Sequence, residues 1–255
     1  MADSIENWDW RCRAVTTLAA PAGIHKTGTP VYVVTSGRAE GRRITFITPS
    51  QEALALSLAS RASSTALERR REVQITRVQV APEPGTRYAI GEESAPALYD
   101  FFEACYAVVT FSFQSMEAFA NRVIAEKIEP GQTYRLTRGK RSAELDAEEL
   151  QRRASTDEKV TAVLPELLAR PSLRDGRSLW DRYTQLKKER DAIVHLKAED
   201  AYPKYRTVVP SIYHRFLDKG VARHPVTALR VLAHFETGET PRWLTGAAAI
   251  MGETV

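Results

Sequence analysis

The sequence predicts a mixed α+β domain over residues 1–90, followed by an all-α antiparallel helical bundle over residues 94–255. Two observations predict this division. Before residue 90 the chain carries β-branched runs bounded by turn residues, which are typical of strands, whereas beyond it apolar residues recur at three-to-four spacing, as on amphipathic helices. Between the halves, residues 81–94 (APEPGTRYAIGEES) concentrate Pro, Gly and Glu, which is typical of a linker.

The first elements are predicted to be strands. Residues 8–14 (WDWRCRA) alternate apolar and polar side chains, which is the period of a half-buried strand. The β-branched runs at 30–37 (PVYVVTSG) and 42–49 (RRITFITP) are separated by turn-forming residues, so we expect a hairpin with a longer loop at 36–41. A further strand is expected at 72–80 (EVQITRVQV).

One helix is predicted within this first domain. It begins after Pro49, where the Ser50 side chain can cap the first turn, and Leu54 and Leu58 lie one turn apart on it. The role of the domain is left open by its residues. We expect it to sense a signal, to dock on a partner or to restrain the second domain.

The second half is predicted to be helical throughout. Ser94 begins a long helix that ends at Ile128, where Glu-Pro-Gly follows. Shorter helices are expected at 142–154 and at 156–170, the second of them bent at Pro165. The apolar stripe of the long helix comprises Leu98, Phe102, Cys105, Val109, Phe113, Met116, Ala120 and Val123. The later predicted helices span residues 175–200, 208–220 and 225–238.

Composition and charge restrict the class of protein. The formal net charge is +4 and the pI is about 9.1, which is compatible with nucleic-acid binding without requiring it. Cys12 and Cys105 are far apart, so we predict no disulfide framework, no zinc site and a reducing, cytoplasmic location. No apolar run approaches the roughly 20 residues of a membrane span, and the polar start is not that of a signal peptide. Neither a P-loop nor a GxSxG or HExxH motif occurs, so no metal and no cofactor are expected.

The helix predicted at 175–200 contains a conflict between charge and burial. On a helical projection Arg190 lies in the middle of an apolar stripe, and a buried guanidinium is costly unless it is paired. His195 lies about 140° away, one turn after Asp191, whose carboxylate could hold the imidazole ring by a hydrogen bond. Arg190 is therefore either paired with a buried carboxylate such as Glu117 or part of a site. The stripe comprises Leu179, Tyr183, Leu186, Ile193 and Val194.

The stretch ERDAIVHLK resembles the R-x4-6-H motif of the HEPN superfamily. Arg190 matches the motif arginine, Asp191 matches the polar residue that often follows it, and His195 matches the motif histidine. On the earlier long helix, within FSFQSMEAFANRVI, Glu117 matches the acidic residue that often points at the site in this family. The similarity covers roughly residues 94–235, and the first 90 residues lie outside it.

The resemblance implies a dimerising bundle of antiparallel helices in which two motifs meet in a cleft. Many members are metal-independent ribonucleases of toxin–antitoxin, abortive-infection or other defence systems. The expected partners are therefore RNA, a second copy of the chain and an antitoxin or partner defence protein. In this chemistry His195 would move the proton of the ribose 2′-OH and Arg190 would hold the phosphate.

Two other functions remain open. Some members of the superfamily are catalytically inactive and act as dimerisation scaffolds or as nucleotide-binding or RNA-binding scaffolds, which is the main alternative for this chain. A transcription regulator is a third possibility, although no helix-turn-helix pattern occurs in the first 90 residues.

A second group of candidate residues lies in the basic segment 133–142 (TYRLTRGKRS), which is predicted to be a loop. Basic side chains there would attract RNA phosphates irrespective of base sequence, and the alternative is a solubilising surface loop. The candidate RNA-binding residues are Arg135, Arg138, Lys140 and Arg141.

Overall fold

Helices form the core of the protein and short antiparallel strand pairs accompany them in the computed structural model. The coarse prediction of an α+β region followed by a mainly helical region is confirmed. The structure describes residues 9–12, 14–17, 26–27, 30–79, 86–195, 211–218, 220–238 and 240–254. Among these residues, no helix has both the length and the apolar character needed to cross a lipid bilayer. Trp8, Arg13 and the predicted helix end at 196–200 lie outside the described residues.

The first strands form two antiparallel pairs. The strands are β1 (Ala14–Thr17), which pairs with β2 (Pro30–Tyr32), and β3 (Val34–Ala39), which pairs with β4 (Arg42–Ile47). The predicted hairpin is thus confirmed, but its loop is shorter than expected. Glu40 and Gly41 have φ of 50° and 74°, as the two central residues of a type I′ turn do, and this turn matches the twist of the flanking strands.

The strand predicted at 8–14 is wrong over residues 9–12, which form a turn. The Asp9 carboxylate accepts hydrogen bonds from the backbone N–H of Arg11 at 2.9 Å and from its Nε at 2.8 Å. An aspartate that binds the backbone two residues on stabilises a turn without any neighbouring strand. The alternation of side chains therefore does not decide the structure here, and a single bridge pairs Cys12 with Pro49.

Helix α1 (Gln51–Glu72) confirms the predicted cap, because the Ser50 hydroxyl accepts a hydrogen bond from the backbone N–H of Ala53 at 3.1 Å. Small side chains line its buried face, which packs along α2 (Ala95–Lys127). The hydrophobic cluster of the two helices thus includes residues from both sides of the predicted domain boundary. The members of this cluster on α1 are Ala53, Leu56 and Ala66.

Part of the predicted linker is a strand. β5 (Ile75–Gln79), where a strand is expected, pairs antiparallel with β6 (Thr86–Ile90), and a 3-10 turn follows at Glu92–Ser94. The linker prediction at 81–94 is therefore wrong over residues 86–94, while residues 80–85 lie outside the described part of the chain. The segment TRYAI has the β-branched and aromatic residues of a strand, but the Pro and Gly residues around it concealed the pattern.

The long helix is confirmed, since α2 runs over the predicted residues and Ile128 is its C-cap. Most of the predicted apolar stripe is buried, and Leu98 and Phe102 pack against the cluster while partly exposed. A largely buried cation, Arg122, connects α2 to its neighbours. Its guanidinium lies 2.7 Å from the Glu52 carboxylate on α1 and 3.3 Å from the Glu236 carboxylate, and burial raises the pKa of Glu236 against the opposite effect of Arg122.

The basic segment 133–142 is a β-hairpin and not a loop. β7 (Tyr134–Arg138) pairs antiparallel with β8 (Arg141–Leu145). Tyr134, Leu136 and Leu145 alternate with exposed polar residues and are buried in a second, smaller hydrophobic cluster. The prediction that strands end near residue 90 is therefore wrong, because the many basic residues concealed a period of two.

Helices complete the chain after this hairpin. They are α3 (Ala147–Arg153), α4 (Thr156–Glu158), α5 (Leu164–Leu168), α6 (Arg177–Val194), α7 (Ile212–Asp218), α8 (His224–Phe235) and α9 (Arg242–Met251). The bend predicted at Pro165 takes the form of a π-helical turn at Lys159–Val163, immediately before α5. A proline lacks the N–H that would bond back into the preceding turn, so a widened turn there is expected. The last helix, α9, was not predicted.

The N-terminal turn is held against α9 by one close contact. Trp10 packs on the main hydrophobic cluster, and Gly246 of α9 lies directly beneath it. A Cβ atom at Gly246 would lie 2.6 Å from Trp10 Cβ and 2.7 Å from its Cγ. Both atoms are near the backbone and cannot swing away, so this position requires glycine even though glycine is unfavourable within a helix.

We predict that Gly246→Ala destabilises the protein despite the better helix propensity of alanine. The propensity gain is about 1 kcal/mol, whereas overpacking costs roughly 1–3 kcal/mol, so a net loss is expected. Urea unfolding at neutral pH measures it, and a shift of tryptophan emission to longer wavelength would report that Trp10 has moved into solvent. Gly220→Ala is the control, because a Cβ there meets no atom within 4 Å; an equal loss in both variants would contradict the steric argument.

Candidate functional site

Arg190 lies on the flank of the buried face of α6 and not in its middle. Its side chain is 28% exposed, whereas Tyr183 and Leu186 are fully buried and Val194 is largely exposed. The buried face is thus turned from Arg190 toward Glu189, which is 1% exposed. The apolar residues alone predicted the right helix, but they placed the centre of its buried face too close to Arg190.

The guanidinium of Arg190 is held by an aromatic ring and one carboxylate. Its Cζ lies 4.0 Å from the centroid of the Phe113 ring on α2, a cation–π distance. Its Nη1 forms an ion pair with the Asp191 carboxylate, 3.0 Å away. Its Nε is buried and has no hydrogen-bond partner among the described residues. Arg190 is therefore fixed in position with part of its donor capacity unused.

Asp191 contacts cations and not the motif histidine. Its carboxylate lies 3.0 Å from Arg190 Nη1 and 4.0 Å from Lys187 Nζ. His195 is exposed and is the C-cap of α6, with φ −115° and ψ 60°. The expected hydrogen bond between the Asp191 carboxylate and the His195 imidazole is not among the bonds of the described residues. The exposed ring of His195 is free to meet a ligand or a second chain.

Glu117 pairs with Lys159 and not with Arg190. The Glu117 carboxylate accepts hydrogen bonds from Lys159 Nζ and Thr156 Oγ1. Lys159 is fully buried, and its ammonium also donates to Asn121 Oδ1 and to the carbonyl of Gln151, both at 2.8 Å. Each of the three ammonium protons thus has an acceptor, as a buried lysine requires. The alternative in which Arg190 pairs with Glu117 is wrong, because the π-helical turn places Lys159 against this carboxylate.

A buried tyrosine joins these groups to α4. The Tyr183 hydroxyl donates to the Asp157 carboxylate at 2.5 Å, and Lys187 Nζ lies 2.8 Å from the same carboxylate. Burial and the hydrogen bond to Asp157 raise the pKa of Tyr183 above its usual range. The Tyr183 ring stacks on Phe113, with centroids 6.5 Å apart. Glu117, Arg190 and Asp191 therefore belong to one polar cluster at the contact of α2, α4 and α6.

A buried hydrogen bond between α6 and α8 was missed by the sequence reasoning. The Glu189 carboxylate lies 2.5 Å from His224 Nε2 and accepts a further hydrogen bond from Gln185. His224 lies just before the helix predicted at 225–238, but it is the first residue of α8 and is buried. The nearby Cys105 thiol is also buried, and burial together with Glu189 raises its pKa to about 12. The only sequence signal was Glu189 itself, a charge on the apolar side of its helix.

The four candidate RNA-binding residues differ in how far they are already paired. Arg138 donates to the Glu158 carboxylate at 2.5 and 2.8 Å and to the carbonyl of Arg153 at 2.7 Å. Arg135 is exposed and lies 4.0 Å from Glu144. Lys140 and Arg141 form no ion pair with a described residue. Arg138 thus connects the hairpin to α4, and mainly Lys140 and Arg141 remain available to a ligand.

The comparisons with known proteins add no relative. Searches against protein-family models, curated proteins and solved structures find no match to this chain. Within the described ranges, no group of three or more His, Cys, Asp or Glu side chains has the arrangement of a metal site. The assignment of a function therefore depends on the motif and on the geometry of the cluster around Arg190.

We predict that Lys159→Met lowers the free energy of unfolding by roughly 2–3 kcal/mol, because it removes a fully buried donor from three acceptors at once. The partial exposure of Glu117, 34%, limits the loss, since water can reach the carboxylate. Lys187→Met is the matched control, because its 35% exposed pair with Asp157 contributes under about 1 kcal/mol. Urea unfolding of both variants measures the difference, and similar losses would contradict a special role for the buried ammonium.

We predict that the Arg138–Glu158 pair stabilises the protein at neutral pH and not in strong acid. The Arg138 hydrogen bond, helped by Ser155, lowers the pKa of Glu158 from 4.5 to about 2. A lowered folded-state pKa contributes stability above the unfolded value, which is lost as pH falls through the folded value. The difference in Tm between wild type and Arg138→Gln should therefore shrink as the pH is lowered from 5 toward 2. Arg135→Gln is the control, and a difference independent of pH would contradict the assignment.

Proposed function

We propose that this protein is a metal-independent endoribonuclease of the HEPN type that acts as a homodimer in a toxin or phage-defence role. The proposal joins two things: the motif from Arg190 to His195 and the setting of the Arg190 guanidinium. RNA is the substrate, and its own ribose 2′-OH is the nucleophile.

The unused donor capacity of Arg190 is the observation that supports this proposal. Phe113 covers one face of the guanidinium and Asp191 holds one corner, while the buried Nε lacks an acceptor among the described residues. A buried donor without an acceptor destabilises the protein by roughly 1–3 kcal/mol. A ligand that supplies the acceptor would remove this destabilisation. The Arg190 side chain is 28% exposed, so a phosphate could bind its accessible N–H groups, and a shift of the guanidinium toward solvent would bring Nε to the same anion in the bidentate geometry that guanidinium groups favour.

The two motif side chains have complementary chemistry toward an RNA phosphodiester. A histidine can remove the proton of the 2′-OH or give one to the leaving 5′-oxygen, since its proton affinity suits neutral pH. An arginine can offset the negative charge that develops on the phosphate oxygens. The 2′-oxygen forms a bond to phosphorus as the bond from phosphorus to the 5′-oxygen breaks, and the proton lost by the 2′-OH is balanced by the proton that the 5′-oxygen gains.

A dimer completes the proposed site. Arg190 and His195 are separated by about 140° around α6, so one helix does not direct both side chains to one point. A second copy of α6 facing the first would place the histidine of one chain near the arginine of the other. His195 and Val194 are both exposed at this end of α6, as such a contact requires. An antitoxin or partner defence protein would act on this dimer in the cytoplasm.

A catalytically inactive HEPN-like scaffold is the second candidate, and a different observation favours it. Glu117 is held by Lys159 and Thr156, and the corner of Arg190 is held by its neighbour Asp191. Both motif acids thus have structural partners. In this alternative the same surface would bind RNA or a second chain without cleaving RNA.

We predict that the purified protein cleaves single-stranded RNA in the presence of EDTA and leaves a 2′,3′-cyclic phosphate or 3′-phosphate and a 5′-hydroxyl. An all-DNA substrate, which lacks the 2′-OH, should not be cut. His195→Ala should lower the cleavage rate by at least roughly 100-fold, and Arg190→Lys should lower it by a similar factor because an ammonium lacks the planar fork. End-labelled RNA and mass spectrometry of the fragments measure both rate and product ends.

Matched variants control for folding and for charge. His214→Ala removes another exposed histidine, and Arg182→Lys makes the same exchange at an exposed site on α6; both should keep full activity. Induction in cells should arrest growth with wild type and not with an equally soluble His195→Ala. A requirement for Mg²⁺, 5′-phosphate ends or a monomer by light scattering would contradict the proposal, and equal RNA binding without any cleavage would favour the scaffold.

A further inference from the structure

The β3–β4 hairpin is an exposed ribbon whose charge is not compensated. All side chains of β3 and all but Ile47 of β4 are exposed. The hairpin carries three arginines, Arg38, Arg42 and Arg43, and one acid, Glu40 in the turn. None of these arginines forms a salt bridge with a described residue, so the end of the ribbon has a net positive charge.

The register of the hairpin makes this charge costly. Arg38 lies directly opposite Arg43 in the ladder, so the two guanidinium groups project from the same face. Like charges directly opposite each other on neighbouring strands are destabilising. A two-stranded ribbon that stands in solvent gains little from packing. The repulsion between the two guanidinium groups therefore destabilises the hairpin in the free protein, and an anionic ligand would remove it.

The second hairpin shows how the same arrangement is neutralised inside the protein. In β7–β8, Arg138 lies directly opposite Arg141, which repeats the cross-strand arginine pair. There the Glu158 carboxylate of α4 binds Arg138, and the hairpin is fixed to the fold. No described acidic residue forms such an ion pair with Arg38 or Arg43. The two hairpins thus share a charge pattern and differ in whether the protein supplies the counter-charge.

Exposed apolar side chains lie beside these charges on the other face. Arg42, Ile44 and Phe46 occupy alternate positions of β4 and therefore share a face. Ile44 is 41% exposed and Phe46 is 47% exposed. An exposed aromatic ring in line with a guanidinium is the combination that binds unpaired bases and the backbone between them, by stacking and by charge.

We infer that the β3–β4 hairpin is a binding site for single-stranded nucleic acid. Phe46 would stack on a base and Arg42, on the same face, would contact a phosphate, while Arg38 and Arg43 on the opposite face would bind phosphates where the strand passes around the ribbon. The site is separate from Arg190 and His195, and it does not depend on the proposed cleavage. Duplex would fit less well, because the paired bases leave Phe46 without a stacking partner. In a ribonuclease the hairpin would hold the substrate strand, which gives the first domain a binding role.

The test is a binding titration by fluorescence anisotropy with the full chain carrying His195→Ala, so that RNA stays intact. The probes are labelled single-stranded RNA and DNA of about 20 nucleotides, longer than a typical single site, and the matching duplex. Arg38→Gln, Arg42→Gln and Arg43→Gln combined should weaken single-strand binding at least about tenfold and lower the slope of log K against log salt by about 2. Phe46→Ala should weaken binding while leaving that slope unchanged.

The control removes the same charge elsewhere. Arg61, Arg70 and Arg71 on α1 form no ion pair with a described residue, and their combined exchange to Gln should change binding by less than about twofold at the same salt. Circular dichroism and thermal unfolding check that both triple variants fold. Equal loss in both, no loss in the hairpin variant, or tighter binding of duplex than of single strands would overturn the assignment. Comparison of RNA with DNA identifies the preferred strand. If the triple hairpin variant loses binding but the wild-type chain shows no cleavage activity, the binding site is supported and the nuclease is refuted.

Discussion

Helix α2 is covered by other helices on several sides, and its apolar faces determine how those helices pack. This 33-residue helix is about 50 Å long, and α1, α6 and α8 cover its apolar faces. A helix of this kind cannot be stable in water by itself, because its stability comes from packing more than from propensity. The order of the other elements along the chain follows from the need to return repeatedly to its surface.

Polar residues on α2 decide where each neighbour attaches. Glu117 receives the buried Lys159 from the π-helical turn, and Arg122 receives Glu52 of α1. Both contacts leave their buried member fully paired, which is the condition under which a buried charge is tolerated. Replacing these pairs by apolar side chains would leave the helices free to slide, whereas a specific ion pair fixes one register. The place of Arg190 above Phe113 depends on the same register, since Phe113 lies one turn before Glu117.

Much of the fold could be predicted from periodicity, and each wrong prediction has its own physical reason. The Ser50 cap, the β3–β4 pairing and the span of α2 follow from local patterns that tertiary contacts do not override. At Asp9 a side-chain hydrogen bond to the backbone replaced the strand that the alternation predicted. At 133–142 the basic residues favoured the prediction of a loop, although Tyr134, Leu136 and Leu145 have the spacing of a strand. Glu189 could not be placed, because its partner His224 is 35 residues away and nothing local indicates the pair.

The candidate site shows how an arginine can be both positioned and available. The Phe113 ring positions the Arg190 guanidinium without occupying its N–H groups, and Asp191 contacts only Nη1. Asp191 also lies 4.0 Å from Lys187, so a phosphate that displaced it from Arg190 would not leave the carboxylate without a cation. The exchange would then replace one charge-assisted contact of the guanidinium by another. For Glu117 the situation is the reverse: its release would leave Lys159 as an unpaired buried ammonium, which is far more costly. In the proposed nuclease, therefore, Asp191 is the acid that can move during binding, while Glu117 stays fixed and acts by holding the helices that carry Arg190.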